Sequence, residues 1–280
     1  MSTLIPEQRR RVLEEILRSD GVVITRDAAD KLGVSAMTVR RDIAELERSG
    51  IASAVSGGAR LAPAQRPPEA RGERAVLETE EKQVIAAAAA ELIEDGMAIY
   101  LDAGTTCEAI ARSLGGRSGL TVVTSDFSAA MALMGNPGVR TIHTGGEIDP
   151  VSGSSAGLFA ASTAKAIHTD LCFLSTGAWD LRRGISTTSA DKVAVKVAAA
   201  ESATRCILVA SSSKYGVSER YHVAPLAMLE QVITDDRLGP APRSELEAAQ
   251  LDITYAQTAR TNAPGTATDA GTNSNDVKLS

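Results

Sequence analysis

Apolar residues recur at helical spacing in three short segments near the N-terminus. Val12, Leu13, Ile16 and Leu17 pattern the stretch from Pro6 to Ser19, with Pro6 near its start and Gly21 after its end. Thr25 is placed to cap a second helix through Ala28, Ala29 and Leu32, which Gly33 ends. A third segment carries Val39, Ile43 and Leu46 at i, i+4 and i+7, a single buried stripe. Two short helices joined by a three-residue turn at Gly33 predict a helix-turn-helix. Ile51 to Val55 and Gly58 to Leu61 flank a glycine pair and predict a short wing.

From Glu81 to about Asp236 the pattern changes. Short apolar runs suited to buried strands occur at Ala98–Leu101, Leu120–Val123, Val139–His143, Leu171–Leu174, Cys206–Ala210 and Gln231–Ile233. Helical patterns cover Val84 to Ile93, Cys107 to Ser113, Ser128 to Met134 and Lys192 to Ser202. This alternation predicts an α/β domain with a mainly parallel sheet. Between the two patterns, Ala62 to Ala75 holds Pro63, Pro67, Pro68 and Gly72 among charged residues and reads as a linker. The expected limits are a head over 1–61, a linker over 62–80, an α/β domain over 81–245 and a tail over 246–280. Thr258 to Ser280, rich in Thr, Ala, Asn and Gly, is expected to be disordered.

The third segment carries chemistry on its polar side. Met37, Arg41, Ala44 and Arg48 project away from the apolar stripe, with Thr38 and Arg40 on the flanks. Ser35 stands where an N-cap acceptor is needed, and the free N–H groups of that first turn also suit a phosphate. Arg pairs bidentately with guanine, and Thr contacts a base edge or a phosphate. Ser35, Met37, Thr38, Arg40 and Arg41 are therefore the candidate DNA-binding residues. A plain amphipathic surface helix with a solvated charged face is the other reading.

Composition narrows the class. The 280-residue chain has room for two domains, and its 44% hydrophobic content supports a core built on Ala, Val, Leu and Ile, since aromatics are only 3%. A net charge of −6 argues against a general nucleic-acid coat protein but not against a site-specific reader. Residues 1–60 hold ten Lys/Arg and nine Asp/Glu, so a local arginine face must supply the attraction, and more than one head is expected on DNA. Cys107, Cys172 and Cys206 form no metal or disulfide pattern. A cytoplasmic setting is expected, with no membrane span and no signal peptide.

The residues Ser35…Thr38-Val39-Arg40-Arg41-Asp42-Ile43, then Leu46-Glu47…Gly50 and Gly57-Gly58-Ala59, resemble the DeoR family of bacterial transcriptional regulators. The head matches from about Arg9 to Ala59. Ala54 and Ser56 stand where that family's wing usually has Arg and His. Each lost cation removes a phosphate contact and flattens salt dependence. Further landmarks are Asp102-Ala103-Gly104-Thr105-Thr106, Val122-Val123-Thr124-Ser125, Thr144-Gly145-Gly146-Glu147, Lys196 and Ser213-Lys214-Tyr215-Gly216. The resemblance reaches Asp236. It implies a winged helix-turn-helix head and a ribose-5-phosphate isomerase-like α/β sensor domain. It also implies a phosphorylated sugar effector and, in most members, repression of carbohydrate-catabolic genes.

Within that frame, Gly104 would let backbone approach an anion, and Thr105 and Thr106 would hold phosphate oxygens at a helix N-terminus. Asp102 suits sugar hydroxyls. The bland reading is a strand-to-helix turn capped by Asp or Thr. Thr124 and Ser125 end a second strand; Ser125 stands where the family often has Asn. Gly145 belongs to the pocket mouth or to a tight turn. A lysine pair at i, i+4 is usually solvent-facing, but the resemblance makes Lys196 a ligand candidate over Lys192. Lys214 would supply a cation to the phosphate. Ser211 replaces a commonly found Asp and removes a carboxylate near the expected pocket.

An enzyme is not expected. Aldose–ketose isomerisation needs a positioned base, yet Thr176-Gly177-Ala178-Trp179-Asp180 offers one carboxylate, and His143, His168 and His222 show no triad or metal spacing. His143 and Trp179 read as structural residues. No cofactor and no metal are expected. The expected partners are double-stranded operator DNA, a phosphorylated sugar and further copies of the chain in a dimer or tetramer. Two alternatives are a sugar-phosphate enzyme with a DNA-binding head and an effector-blind oligomer with a vestigial pocket.

Overall fold

The computed structural model describes residues 4–49, 51–55, 57–61 and 71–258. Ser56 lies outside them. The head runs α1 (Pro6–Asp20), β1 (Val22–Ile24), α2 (Thr25–Leu32), α3 (Ala36–Arg48), β2 (Ala52–Val55) and β3 (Gly58–Leu61). Leu13, Leu17, Val39, Ile43 and Leu46 form its core. β1 was not foreseen, being three residues long, and it pairs antiparallel with β3 in a sheet ordered β1-β3-β2. Ile24, not Thr25, is the N-cap of α2, and Thr25 is buried as the helix's first residue. A Cβ on Gly58 would lie 1.9 Å from the Val23 carbonyl oxygen, so only glycine lets β3 approach β1 there.

Arg71–Val76 forms a helix, α4, within the stretch read as a linker, and α5 (Thr79–Ala90) follows. α4 is anchored once from far along the chain and twice from the helix that follows it. The Arg71 N–H donates to the Val151 carbonyl at 3.1 Å, and Lys82 Nζ donates to the carbonyls of Arg74 and Leu77. Proline and glycine content could not reveal such contacts.

The chain then runs β4 (Ala98–Leu101), α6 (Thr105–Ser113), β5 (Leu120–Thr124), α7 (Phe127–Leu133), β6 (Val139–His143), β7 (Glu147–Asp149) and β8 (Ser154–Ala156). It continues through α8 (Gly157–Lys165), β9 (Thr169–Ser175), β10 (Ala178–Asp180), β11 (Gly184–Thr187), α9 (Ala190–Glu201), β12 (Ala203–Val209) and β13 (Tyr221–Ala224). The last elements are β14 (Gln231–Asp235), α10 (Pro240–Ala248) and β15 (Ile253–Ala256). Seven strands form one parallel sheet ordered β15-β14-β12-β9-β4-β5-β6. All six predicted strands lie in it. The seventh, β15, falls in the stretch expected to be a tail, where it pairs with β14.

Strand alternation builds a core on each side of the sheet. Ile99, Leu101, Leu171, Phe173, Ile207 and Val209 pack with α5, α6 and α7. Tyr100, Cys172, Leu174 and Leu208 pack with α8, α9 and the small antiparallel sheet β10-β11-β13. The strand order reverses between β4 and β9, which opens a crevice at their carboxyl ends. Head and sensor also touch: Arg60 Nη2 lies 3.3 Å from Glu245 Oε1 of α10.

Candidate functional site

In the head, Ser35 caps α3. The Thr38 N–H donates to Ser35 Oγ at 3.2 Å, and the two hydroxyl oxygens are 2.9 Å apart. The buried stripe turns Met37, Arg40, Arg41 and Ala44 outward; Met37 is 65% exposed despite being apolar. Arg48 pairs with Glu45 at 2.5 Å. One contact behind this face was not read from the sequence. Asp42, buried, accepts from Arg9 Nε at 2.8 Å and Nη2 at 3.3 Å, which ties α3 to α1. Glu47 Oε1 accepts the Ala54 N–H at 2.9 Å and so ties α3 to the wing. The arrangement gives an exposed helix a fixed orientation, which a major-groove reader needs.

In the sensor, a cavity of about 120 Å³ sits at the carboxyl ends of β4, β5 and β9. Of the sequence-selected residues, Asp102, Ser125, Lys196 and Lys214 lie in its wall. Lys196 Nζ pairs with Asp102 and donates to the Ser175 carbonyl at 2.6 Å, while Asp102 accepts the Ser175 N–H at 2.9 Å. Acid and base thus neutralise each other in a buried pair. Lys192 also lines the cavity, against its expected solvent position. It meets Asp149 at 2.5 Å. Burial pushes the Asp149 carboxyl up, but bonds from Lys192 and Ser152 outweigh this and leave it below the ordinary value.

Gly104, Thr105, Thr106, Thr124 and Gly145 are placed elsewhere. The Gly104 N–H donates to Asp126 Oδ2 at 3.0 Å, so an internal carboxylate stands where a phosphate was expected. Asp126 also caps α7 through the N–H groups of Ser128 and Ala129. Burial raises its pKa, and the charge of Arg71, 2.6 Å away, works against that rise. Arg71 meets Glu108 at 2.5 Å as well, clamping α4 to α6. Thr105 and Thr106 are buried in the first turn of α6. Thr124 Oγ1 accepts the Asp126 N–H at 3.0 Å. Gly145 is exposed in a left-handed turn at φ 65°, donating to His143 Nδ1 at 3.1 Å.

Lys214 is held by a 3₁₀ turn at Ser212–Lys214 that Asp235 anchors, accepting from the Ser212 N–H at 2.7 Å and Oγ at 2.6 Å. Glu78 accepts from Ser213 Oγ on the same turn. Burial pushes the Glu78 carboxyl up, yet the Ser213 bond and the Lys214 charge hold it below the ordinary carboxylate value. Ser211 is not in the cavity wall; it is buried, and its carbonyl accepts Trp179 Nε1–H at 3.3 Å. The expected loss of a pocket carboxylate therefore falls behind the turn, where Asp235 supplies one.

Arg74, Ser152, Ser154, Thr187 and Glu219 also line the cavity and were not read from the sequence. Lys192 alone had a usable signal, its one-turn spacing from Lys196. His143 stacks on Phe127 with ring centroids 4.4 Å apart, and Trp179 is buried against Tyr215. Burial raises the Cys107 and Cys172 thiols well above their ordinary values. Among the described residues no cluster of metal ligands occurs, and no helix is long and apolar enough to cross a membrane.

Residues 9–65 match the DeoR-like helix-turn-helix domain, and residues 77–236 match the DeoR C terminal sensor domain. An uncharacterized HTH-type transcriptional regulator of Haemophilus influenzae is 39% identical over 250 residues, 89% of this chain and 97% of that protein. The glycerol-3-phosphate regulon repressor of Escherichia coli is 30% identical over 240 residues, 86% of this chain and 94% of that protein. A solved D-ribose-5-phosphate isomerase in complex with phospho-erythronic acid is 15% identical with a TM-score of 0.37, over 49% of this chain and 54% of that chain. The chain is a member of the DeoR family of HTH-type transcriptional regulators, with the family's DNA-binding head joined to its sensor domain.

Proposed function

We propose that this protein is a transcriptional repressor of carbohydrate-catabolic genes whose grip on operator DNA is set by a phosphorylated sugar or related polyol phosphate. The observation that carries the effector class is the cavity wall. Lys192, Lys196, Lys214 and Arg74 outnumber the carboxylates of Asp102 and Glu219 there, among eight serine and threonine residues, a net-positive lining for an anion and hydroxyls for a polyol. The 30% identical relative named for a glycerol-3-phosphate regulon fits that chemistry. The phosphate is expected at the lysine end, because Asp126 occupies the N–H group of Gly104.

The exposed Met37, Arg40 and Arg41, capped by Ser35 and Thr38, face operator DNA in this proposal. Effector binding favours one arrangement of the heads over another and so changes DNA affinity. Partnership with DNA sets the protein in the cytoplasm, as a dimer or tetramer that places heads on repeated half-sites.

The test is thermal stability of the full chain against phosphorylated sugars, their dephosphorylated forms, polyols and sugar acids. A rise with one phosphate ester but not its parent alcohol is expected, and Lys214→Ala should abolish it. A shift of equal size in Lys214→Ala removes Lys214 from the site. One observation favours an enzyme instead: Glu219, whose carboxyl is raised by burial, lines the same cavity. Turnover of a phosphosugar by the full chain, lost in Glu219→Gln, would establish that second reading.

A further inference from the structure

One edge of the sensor gathers six of its exposed large apolar residues. The residues Met131 and Met134 at the end of α7, Ile148 in β7, and Leu158 and Phe159 at the start of α8 are each between 66% and 81% exposed. Phe127, at 36%, joins them. These elements surround β6, the last strand of the seven, which pairs on one side with β5. The two helices lie on opposite faces of the sheet and approach one another around the C-terminal end of β6, where Phe127 stacks on His143 and a Cβ on Gly146 would lie 3.0 Å from the Ala160 nitrogen. The Phe127 N–H donates to the Gly153 carbonyl at 3.2 Å, and the β7-β8 hairpin leads straight into α8.

Helix composition separates this edge from its neighbours. Phe127–Leu133 contains no charged residue, and Gly157–Lys165 contains one, at its last position. In contrast, α5, α6 and α9 carry Glu80, Lys82, Glu108, Arg112, Asp191 and Glu201. Surface helices of a monomer normally present charge to water, whereas the centres of protein interfaces are depleted in it. Exposed large apolar residues are common singly, but a contiguous set of this size is not.

We infer that the α7–β6–α8 edge is the surface through which two copies of this chain associate. Area selects a second copy as the occupant. At about 200 Å² per large side chain, the six residues expose roughly 800 Å², close to what each partner buries in a standard stable interface. A surface that is self-complementary by being apolar also suits a two-fold axis, where the same patch meets itself. Arg140 and Glu147 are exposed beside the patch and opposite in sign, so a two-fold arrangement has charges for a polar rim. The inference rests on the proposed function only for why two heads are useful; the surface itself is independent of it.

The test is the solution mass of the full chain by light scattering at micromolar concentration. The wild type should have at least twice the mass of the 29.1 kDa chain. Phe159→Glu and Met131→Glu should each at least halve the assembly while leaving far-ultraviolet circular dichroism unchanged. Met228→Glu, at an exposed apolar residue outside this edge, should leave the mass unchanged. A second measurement needs no variant: on dilution, hydrogen exchange should rise in α7, β6 and α8 before other sensor elements. A monomeric wild type overturns the inference, as does a folded Phe159→Glu or Met131→Glu that keeps the wild-type mass. A monomer that still responds to a phosphate ester would sink the interface and leave the proposed function standing. A dimer broken by Phe159→Glu but blind to every ester would do the reverse.

Discussion

Removing one half of the Arg9–Asp42 pair should sharply destabilise the reading head while the sensor stays folded. The side chains are only 10% and 4% exposed, and the contact is two-pronged, at 2.8 and 3.3 Å. Arg9 spends a third donor on the Leu4 carbonyl at 2.9 Å. Asp42→Leu leaves a guanidinium facing apolar neighbours, and Arg9→Met leaves a buried carboxylate. Breaking a buried pair this way costs about 3–5 kcal/mol. A head of some 60 residues has a total stability of roughly 3–9 kcal/mol, so either single change takes a large part of it. The double variant Arg9→Met/Asp42→Leu strands no charge and should recover most of the loss. The assay is urea unfolding followed by circular dichroism, with DNA affinity measured by anisotropy on a duplex that the wild-type protein enriches from a random library. The singles should show an early transition and lost DNA affinity, with the sensor transition unmoved. A cost under about 1 kcal/mol in both singles, or a double variant worse than either, would refute the reasoning.

Three further outcomes are expected. Arg41→Ala should weaken binding to the enriched duplex by about 1–3 kcal/mol and relax preference at one base pair, leaving ester-induced stabilisation intact; equal loss of both would contradict the separation of head and cavity. Glu78 has a folded pKa held below its unfolded value, so its contribution is present above the ordinary carboxylate range and is lost as pH falls through the depressed folded value. The difference in melting temperature between wild type and Glu78→Gln should therefore shrink on acidification, and a difference independent of pH would show that the ionised form is not what matters. Gly58→Ala should detach β1 from β3, because its Cβ would stand 1.9 Å from the Val23 carbonyl oxygen; unchanged head stability in urea would disprove that packing.

The strands were legible where burial on both faces leaves a continuous apolar run, as at Ala98–Leu101 and Leu171–Leu174. β15 was not, because Ile253, Thr254 and Tyr255 are half-buried on a sheet edge and carry no such run. α8 escaped because its apolar Leu158 and Phe159 point outward and blur the helical period. The same physics divides the site. Asp102 and Ser125 follow strands directly, so strand ends pointed to them, whereas Lys196, inside a helix, was singled out by the family resemblance. Lys192 was misread because Asp149, its partner, comes from a hairpin 43 residues earlier (192 − 149). The internal bond at the expected phosphate cradle was hidden for a similar reason. Local sequence showed a glycine opening a helix, and only the fold brings Asp126 onto its N–H.

The seam between β4 and β9 has a further consequence, for the order in which the molecule can form. Tyr100 pairs with Cys172, 72 residues later, and on each side of that seam the strands are joined through nearer connections. Closing so long a loop is entropically late, and folds that depend on such pairings form slowly. The half-sheet β4-β5-β6 can assemble from contiguous chain, but the cavity has no second wall until β9 docks. A nascent or half-folded sensor is thus blind to its effector. Any compound that fills the crevice binds only the finished sheet, and acts as a kinetic clasp on the joint the chain closes last.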